Sequence, residues 1–64
     1  DAFDRAYVAT EIREHASLLD LLDKRLLPNA QNAELRSRLQ DYRSQEESHL
    51  RDAQDLQKDL AAGQ

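Results

Sequence analysis

The chain has 64 residues, no cysteine and a net charge of −4 at pH 7. So short a chain forms one small domain that buries only about 60% of its unfolded surface, and the lack of cysteine excludes disulfides and thiolate metal sites. The acidic balance argues against nucleic acid as a partner, because phosphate binding needs a clustered excess of Lys and Arg. No apolar run approaches the roughly 20 residues that cross a bilayer, so we expect no membrane insertion.

The first predicted element is a helix over about residues 2–27 that carries two apolar stripes. One stripe repeats at alternating spacings of four and three, which is typical of a seam facing a neighbouring helix. Its members are Val8, Ile12, His15, Leu19, Leu22 and Leu26. The second stripe consists of Phe3, Tyr7, Leu18 and Leu21. Since one neighbouring helix cannot cover both stripes, we expect a homo-oligomer or a fragment of a four-helix domain.

A connection at residues 28–32 and a second helix over about residues 33–62 follow. Pro28 is expected to end the first helix, because proline has no backbone N–H and disfavours helical geometry at the preceding residue. Asn32 suits the N-cap of the second helix, and the short connection predicts an antiparallel hairpin. The second helix has one narrow seam and is expected to have one covered face. The members of that seam are Leu35, Leu39, Tyr42, Glu46, His49, Ala53, Leu56 and Leu60.

Polar residues interrupt both seams at the same height of the predicted hairpin. If the hairpin closes at this connection, facing seam positions have numbers that sum to about 61. His15 then faces Glu46, and Ile12 faces His49. Glu11 precedes His15 by one helical turn. The sequence therefore predicts a polar layer in the middle of the hairpin.

Two interpretations of this layer remain open. In the first, His15 hydrogen-bonds to Glu46 and the pair fixes the register of the helices, as a polar pair in a seam often does. In the second, a divalent metal is bound by Glu11, His15, Glu46 and His49. Glu-x-x-His places two ligands on one face of a helix and the facing helix supplies the others, as in half of a di-iron carboxylate site. We favour the first interpretation, without a cofactor, because chance readily produces Glu-x-x-His in a Glu-rich helix.

The remaining side chains do not favour an enzyme. The serines fall at helical, mostly solvated positions without an oxyanion hole or a strained turn, so hydrolase chemistry is not expected. A phosphate-binding loop needs several glycines, and the sequence has one. Tyr7 and Tyr42 are more typical of packing rings than of catalytic acids.

Several stretches resemble a known family. Residues 3–8 (Phe-Asp-Arg-Ala-Tyr-Val), followed by His15, resemble the start of the third helix in a bacterial domain-of-unknown-function family of exported proteins often labelled "predicted outer membrane protein". Residues 32–35 (Asn-Ala-Glu-Leu) are similar to that family's Asn-Pro-Glu-Leu helix start. Residues 49–56 are similar to its closing His-Leu-x-x-Ala-x-x-Leu.

The resemblance implies a ferritin-like four-helix bundle of which this hairpin is the C-terminal half, and a location in the periplasm or cell envelope. The family histidines correspond to His15 and His49, and no metal role comes with them. We therefore expect an all-α hairpin that serves as a non-catalytic structural or interaction module of the bacterial cell envelope. The second stripe of the first helix would be covered by N-terminal helices of the same protein or by another copy. The alternative function is a metal-binding carboxylate–histidine bundle.

Overall fold

The computed structural model describes residues 2–63, which form two long antiparallel arms. The first arm consists of α1 (Ala2–Leu21), a π-helical segment (Leu22–Leu26) and a short α2 (Leu27–Asn29). The second arm is a single helix, α3 (Ala33–Ala62). The hairpin measures 48 × 15 × 13 Å. The prediction of an all-α helical hairpin is confirmed. Neither arm, within residues 2–63, combines the length and the hydropathy needed to cross a bilayer.

Pro28 does not end the first arm, contrary to the prediction, because the arm continues through α2 to Asn29. The reason lies in the preceding π-helical segment, where the N–H of Leu27 bonds to the carbonyl of Leu22, five residues earlier. In a regular α-helix the proline ring would clash with the carbonyl four residues before it. A π turn is wider and relieves that clash. The non-helical connection is therefore residues 30–32, two residues shorter than predicted.

The start of α3 is fixed by a side-chain cap, as predicted. The Asn32 Oδ1 accepts a hydrogen bond from the backbone N–H of Leu35 at 2.9 Å. Such a cap contributes about 1 kcal/mol to helix stability. The Arg36 guanidinium also donates to the Leu27 carbonyl at 3.2 Å. The start of α3 is thus tied to the end of the first arm.

The core between the arms is thin. The buried apolar residues are Val8, Leu22 and Ala30, with exposed fractions of 5%, 0% and 9%. Leu22, at the start of the π-helical segment, is the large side chain that is fully buried among the described residues. The hairpin therefore depends strongly on one leucine at the start of the π-helical segment.

The inward face of α3 is rotated from the predicted seam. Leu50, outside that seam, is half-buried, whereas the seam members Leu35, Tyr42 and Leu56 are 43–49% exposed. Together with His49 they occur at intervals of seven residues, which places them along one line of the helix. The expectation that α3 has only one apolar face, already covered, is therefore wrong. The seam of α3 consists of two alternating sets of positions, each with a spacing of seven residues. In a four-helix bundle both sets point towards the centre, whereas a single neighbouring helix covers only one of them.

The second stripe of α1 is also largely uncovered. Phe3, Tyr7 and Leu21 are 75%, 58% and 42% exposed, and the rings of Phe3 and Tyr7 stack with their centroids 6.5 Å apart. Between the start of α1 and the end of α3 lies a groove of about 330 Å³. It is lined by Phe3, Asp4, Tyr7, Val8, Leu56 and Leu60. The exposed Phe3 and Tyr7 of α1 therefore meet the exposed Leu56 of α3 at this groove, and Leu35 and Tyr42 lie on the same line of α3 as Leu56. We call the surface formed by Phe3, Tyr7, Leu35, Tyr42 and Leu56 the open face.

Candidate functional site

His15 on α1 meets Glu46 and His49 on α3 in the middle of the hairpin. The Nδ1 of His15 lies 2.5 Å from the Oε2 of Glu46, a hydrogen bond that joins the two arms. The rings of His15 and His49 meet edge to face, with centroids 5.8 Å apart and an interplanar angle of 61°. The prediction that His15 faces Glu46 is confirmed. The sum of about 61 for facing positions paired His49 with Ile12. The ring contact that the structure records for His49 is with His15.

Glu46 is the buried acid of the described chain, with an exposed fraction of 7%. A buried carboxylate is costly unless it is paired and hydrogen-bonded. Its Oε2 accepts the hydrogen bond from His15, and its Oε1 lies 4.0 Å from the Nδ1 of His49. Within residues 2–63, no buried side-chain nitrogen or oxygen lacks a hydrogen-bond partner. The buried polar atoms of the layer therefore all have hydrogen-bond partners.

Glu11 approaches the other nitrogen of the His15 ring. His15 follows Glu11 by four residues on α1, and the Oε1 of Glu11 lies 3.7 Å from the Nε2 of His15. The imidazole thus has a carboxylate beside each of its ring nitrogens. Exposure increases outward through the cluster, because the side chain of His15 is 22% exposed and that of His49 is 60% exposed. The cluster is therefore anchored inside the hairpin and accessible from the side of His49.

Three of the four predicted metal candidates form a compact donor set. One ligand atom from each of His15, Glu46 and His49 can be chosen so that all three atoms lie within 4.8 Å of one another. Two imidazole nitrogens and a carboxylate oxygen suit Zn²⁺ and other divalent ions of intermediate softness. Glu11 lies against the His15 ring and outside this set of three. The same contacts also fit the register interpretation, in which the His15–Glu46 pair fixes the alignment of the arms.

An ion-pair network beside the polar layer was not predicted. The Arg43 guanidinium binds both carboxylate oxygens of Asp23, with Nε–Oδ1 and Nη2–Oδ2 distances of 2.5 and 3.1 Å. It also contacts the Oε2 of Glu47 at 3.2 Å. The Arg43–Glu47 spacing of four residues could have been read from the sequence. The pairing with Asp23 could not, because Asp23 lies in the π-helical segment.

This network makes hairpin stability sensitive to acid. The hydrogen bonds from Arg43 hold the pKa of Asp23 below its ordinary value of 3.8. A lowered folded-state pKa gives stability that is present above the ordinary pKa and lost as the pH falls through the folded value. We expect the difference in melting temperature between the parent chain and Asp23→Asn to shrink below about pH 4. Thermal scans at a series of pH values would measure it.

Arg43→Gln serves as the control for this experiment. It removes the partner of Asp23, so replacing Asp23 in that background should have little effect at any pH. A difference between the parent and Asp23→Asn that does not change with pH would contradict the assignment.

No curated protein and no solved structure matches the chain. A family model described as "Domain of unknown function (DUF4142)" matches residues 1–56. The matched region contains the first arm, the connection and most of α3, and with them all four residues of the polar layer. The predicted membership of a domain-of-unknown-function family is confirmed. The chain belongs to the DUF4142 family.

Proposed function

We propose that this chain is a non-catalytic interaction module that supplies two helices of a four-helix bundle. The observation that supports this function is that more large apolar side chains are exposed than are buried. Among residues 2–63, seven large apolar side chains are at least 40% exposed, whereas three apolar residues are buried. The exposed ones are Phe3, Tyr7, Leu21, Leu26, Leu35, Tyr42 and Leu56. Exposed apolar surface of this extent is typical of a site of interaction.

A covering layer of helices fits the open face better than a small ligand does. Leu35, Tyr42 and Leu56 follow the heptad spacing along α3, which is the pattern that packs against a neighbouring helix. Phe3 and Tyr7 stand beside Leu56 at the groove. The exposed residues thus extend along nearly the whole 48 Å length of the hairpin. Two antiparallel helices of similar length would cover them.

A second copy of the hairpin is the partner we propose. The polar layer lies at the centre of both arms, with His15 midway along residues 2–29 and Glu46 and His49 midway along α3. If a two-fold axis through this centre relates two copies of the hairpin, the polar layer of one copy lies on the polar layer of the other. The apolar ends of the two copies then also meet. Such a self-complementary surface is what an isologous dimer requires. The exposed His49 would then face the partner's polar layer.

Sedimentation equilibrium tests this proposal. The chain has a mass of 7.4 kDa, and we expect a species of twice that mass. Leu56→Glu should shift the equilibrium to the monomer, because it places a charge inside the proposed interface. Gln57→Glu, the matched control, adds the same charge at the neighbouring exposed position and should remain dimeric. A monomeric parent that melts cooperatively would contradict the second copy and favour N-terminal helices of the same protein as the cover.

The finer assignment is a ferritin-like bundle in the bacterial periplasm or cell envelope. It is supported by the resemblance of residues 3–8, 32–35 and 49–56 to the exported family described above. Its non-catalytic character is supported by the serines at positions 17, 37, 44 and 48, all of which lie exposed on helices. Fractionation of the source cells with an antibody to the chain tests the location. A signal confined to the cytosol would contradict it.

A further inference from the structure

We propose that His15, Glu46 and His49 bind one divalent transition-metal ion, with Zn²⁺ as the probe, and that the ion joins α1 to α3. The inference begins from the donor atoms, which lie within 4.8 Å of one another on two different helices. All three ligands come from one chain. The expected stoichiometry is therefore one ion per chain, whether the hairpin is a monomer or a dimer.

Small side-chain movements would adapt the three donors to an ion. Zn²⁺ bonds of about 2.0–2.2 Å in a tetrahedral site place ligand atoms about 3.3 Å apart. The Nδ1 of His15 and the Oε2 of Glu46 are 2.5 Å apart, so they would separate slightly as the ion replaces the proton that they share. The Nδ1 of His49 is 4.0 Å from the Oε1 of Glu46. A rotation of its exposed side chain would bring the third donor into place.

Burial divides the site into a fixed part and a mobile part. Glu46 is 7% exposed and hydrogen-bonded to His15, so these two donors are held by the hairpin before any ion arrives. His49 is 60% exposed in the single hairpin, so an ion can reach the donors from its side before two hairpins pair. A fourth position on this side would be open to water in the single hairpin, as in three-ligand zinc sites, and would lie beside the partner's polar layer in a dimer.

Glu11 has a different task, that of a positioning residue. If the Nδ1 of His15 binds the ion, the Nε2 of the same ring carries a proton, because a metal-bound imidazole is protonated at its other nitrogen. The Oε1 of Glu11 lies 3.7 Å from that Nε2 and is the nearest acceptor the structure records for it. A carboxylate in this place orients the ring and raises its basicity as a ligand.

Calorimetric titration of the whole chain with Zn²⁺ tests the site. We expect one ion per chain and a rise in melting temperature, because an ion that binds only the folded hairpin stabilises it. His49→Ala should weaken the affinity at least about 10-fold. Since His49 is exposed, this variant should fold, and circular dichroism would verify that. Ser48→Ala is the matched control at the adjacent exposed position and should bind as the parent does.

Titration with Co²⁺, followed by visible absorption, separates the ligands from Glu11. Glu11→Ala should weaken Co²⁺ binding by about 10–100-fold and leave the absorption bands of the bound ion unchanged, because Glu11 is not a ligand. Glu14→Ala, on the same helix, should change neither. Altered bands in Glu11→Ala would overturn the positioning role. No heat, no thermal shift and no difference between the parent and His49→Ala would overturn the metal site and leave the His15–Glu46 pair as a register device.

Discussion

Replacing Leu22 by alanine is expected to unfold most of the isolated hairpin. Leu22 has no exposed surface and is the large side chain that the two arms bury completely within residues 2–63. Truncating a buried leucine costs about 2–5 kcal/mol, through lost burial and the cavity that remains. A core of this size rarely supplies more than about 3–5 kcal/mol. The expected loss is therefore comparable to the whole free energy of unfolding.

Urea denaturation at low chain concentration, followed by circular dichroism, would measure this loss. Leu26→Ala is the matched control, because Leu26 belongs to the same π-helical segment but is 40% exposed. We expect the control to lose much less stability and to keep a cooperative transition. Equal losses in the two variants would show that burial of Leu22 does not dominate the stability of the hairpin.

The register of the hairpin could be predicted from the sequence because two seams are interrupted by polar residues at one height. That coincidence admits one alignment of the arms and places His15 opposite Glu46, as the structure shows. The antiparallel hairpin followed from the short connection and from the cap at Asn32. These features depend on local patterns and on a simple count along two helices.

The π-helical segment and the rotation of α3 could not be predicted in this way. A helix continues past Pro28 because the turn before it widens, and nothing in the pattern of the sequence distinguishes that turn from a helix end. The rotation arises because α3 has one neighbour in the hairpin, while its two sets of seam positions would suit a bundle centre. Leu50 is thereby half-buried and Leu56 is exposed.

The candidate site could be predicted only in part, because spacing along a helix shows which residues are near one another but not the role of each. The Glu-x-x-His spacing placed Glu46 and His49 on one face of α3, and the count across the hairpin brought His15 to them. The spacing could not show whether Glu11 is a metal ligand or a hydrogen-bond acceptor for His15. A residue one helical turn from His15 lies near the ring in both cases. The structure places the Oε1 of Glu11 3.7 Å from the Nε2 of His15, the ring nitrogen that does not bind the ion in the proposed site.

Replacing His15 and Glu46 together by leucine should separate the stability of the polar layer from its specificity. Glu46 is a buried carboxylate, and its desolvation offsets much of what its pair with His15 contributes. Exchanging a buried polar pair for packed apolar side chains often stabilises a protein by about 1–4 kcal/mol. We expect a gain in that range from urea denaturation, whereas Glu46→Leu alone should lower stability because His15 loses its partner on α3. Gln45→Leu, at an exposed neighbouring position, is the control and should change little.

We expect the double variant to gain stability but to lose the single register in which the two arms pair. With leucine at both positions the two seams become almost continuous, and a continuous apolar seam permits helices to pair in more than one register or oligomeric state. We expect the amide spectrum of the double variant to show additional sets of signals, and Zn²⁺ to bind no longer. A double variant that is more stable and still gives a single set of signals would show that the apolar residues alone fix the register. Alignment of the arms would then not explain the buried Glu46.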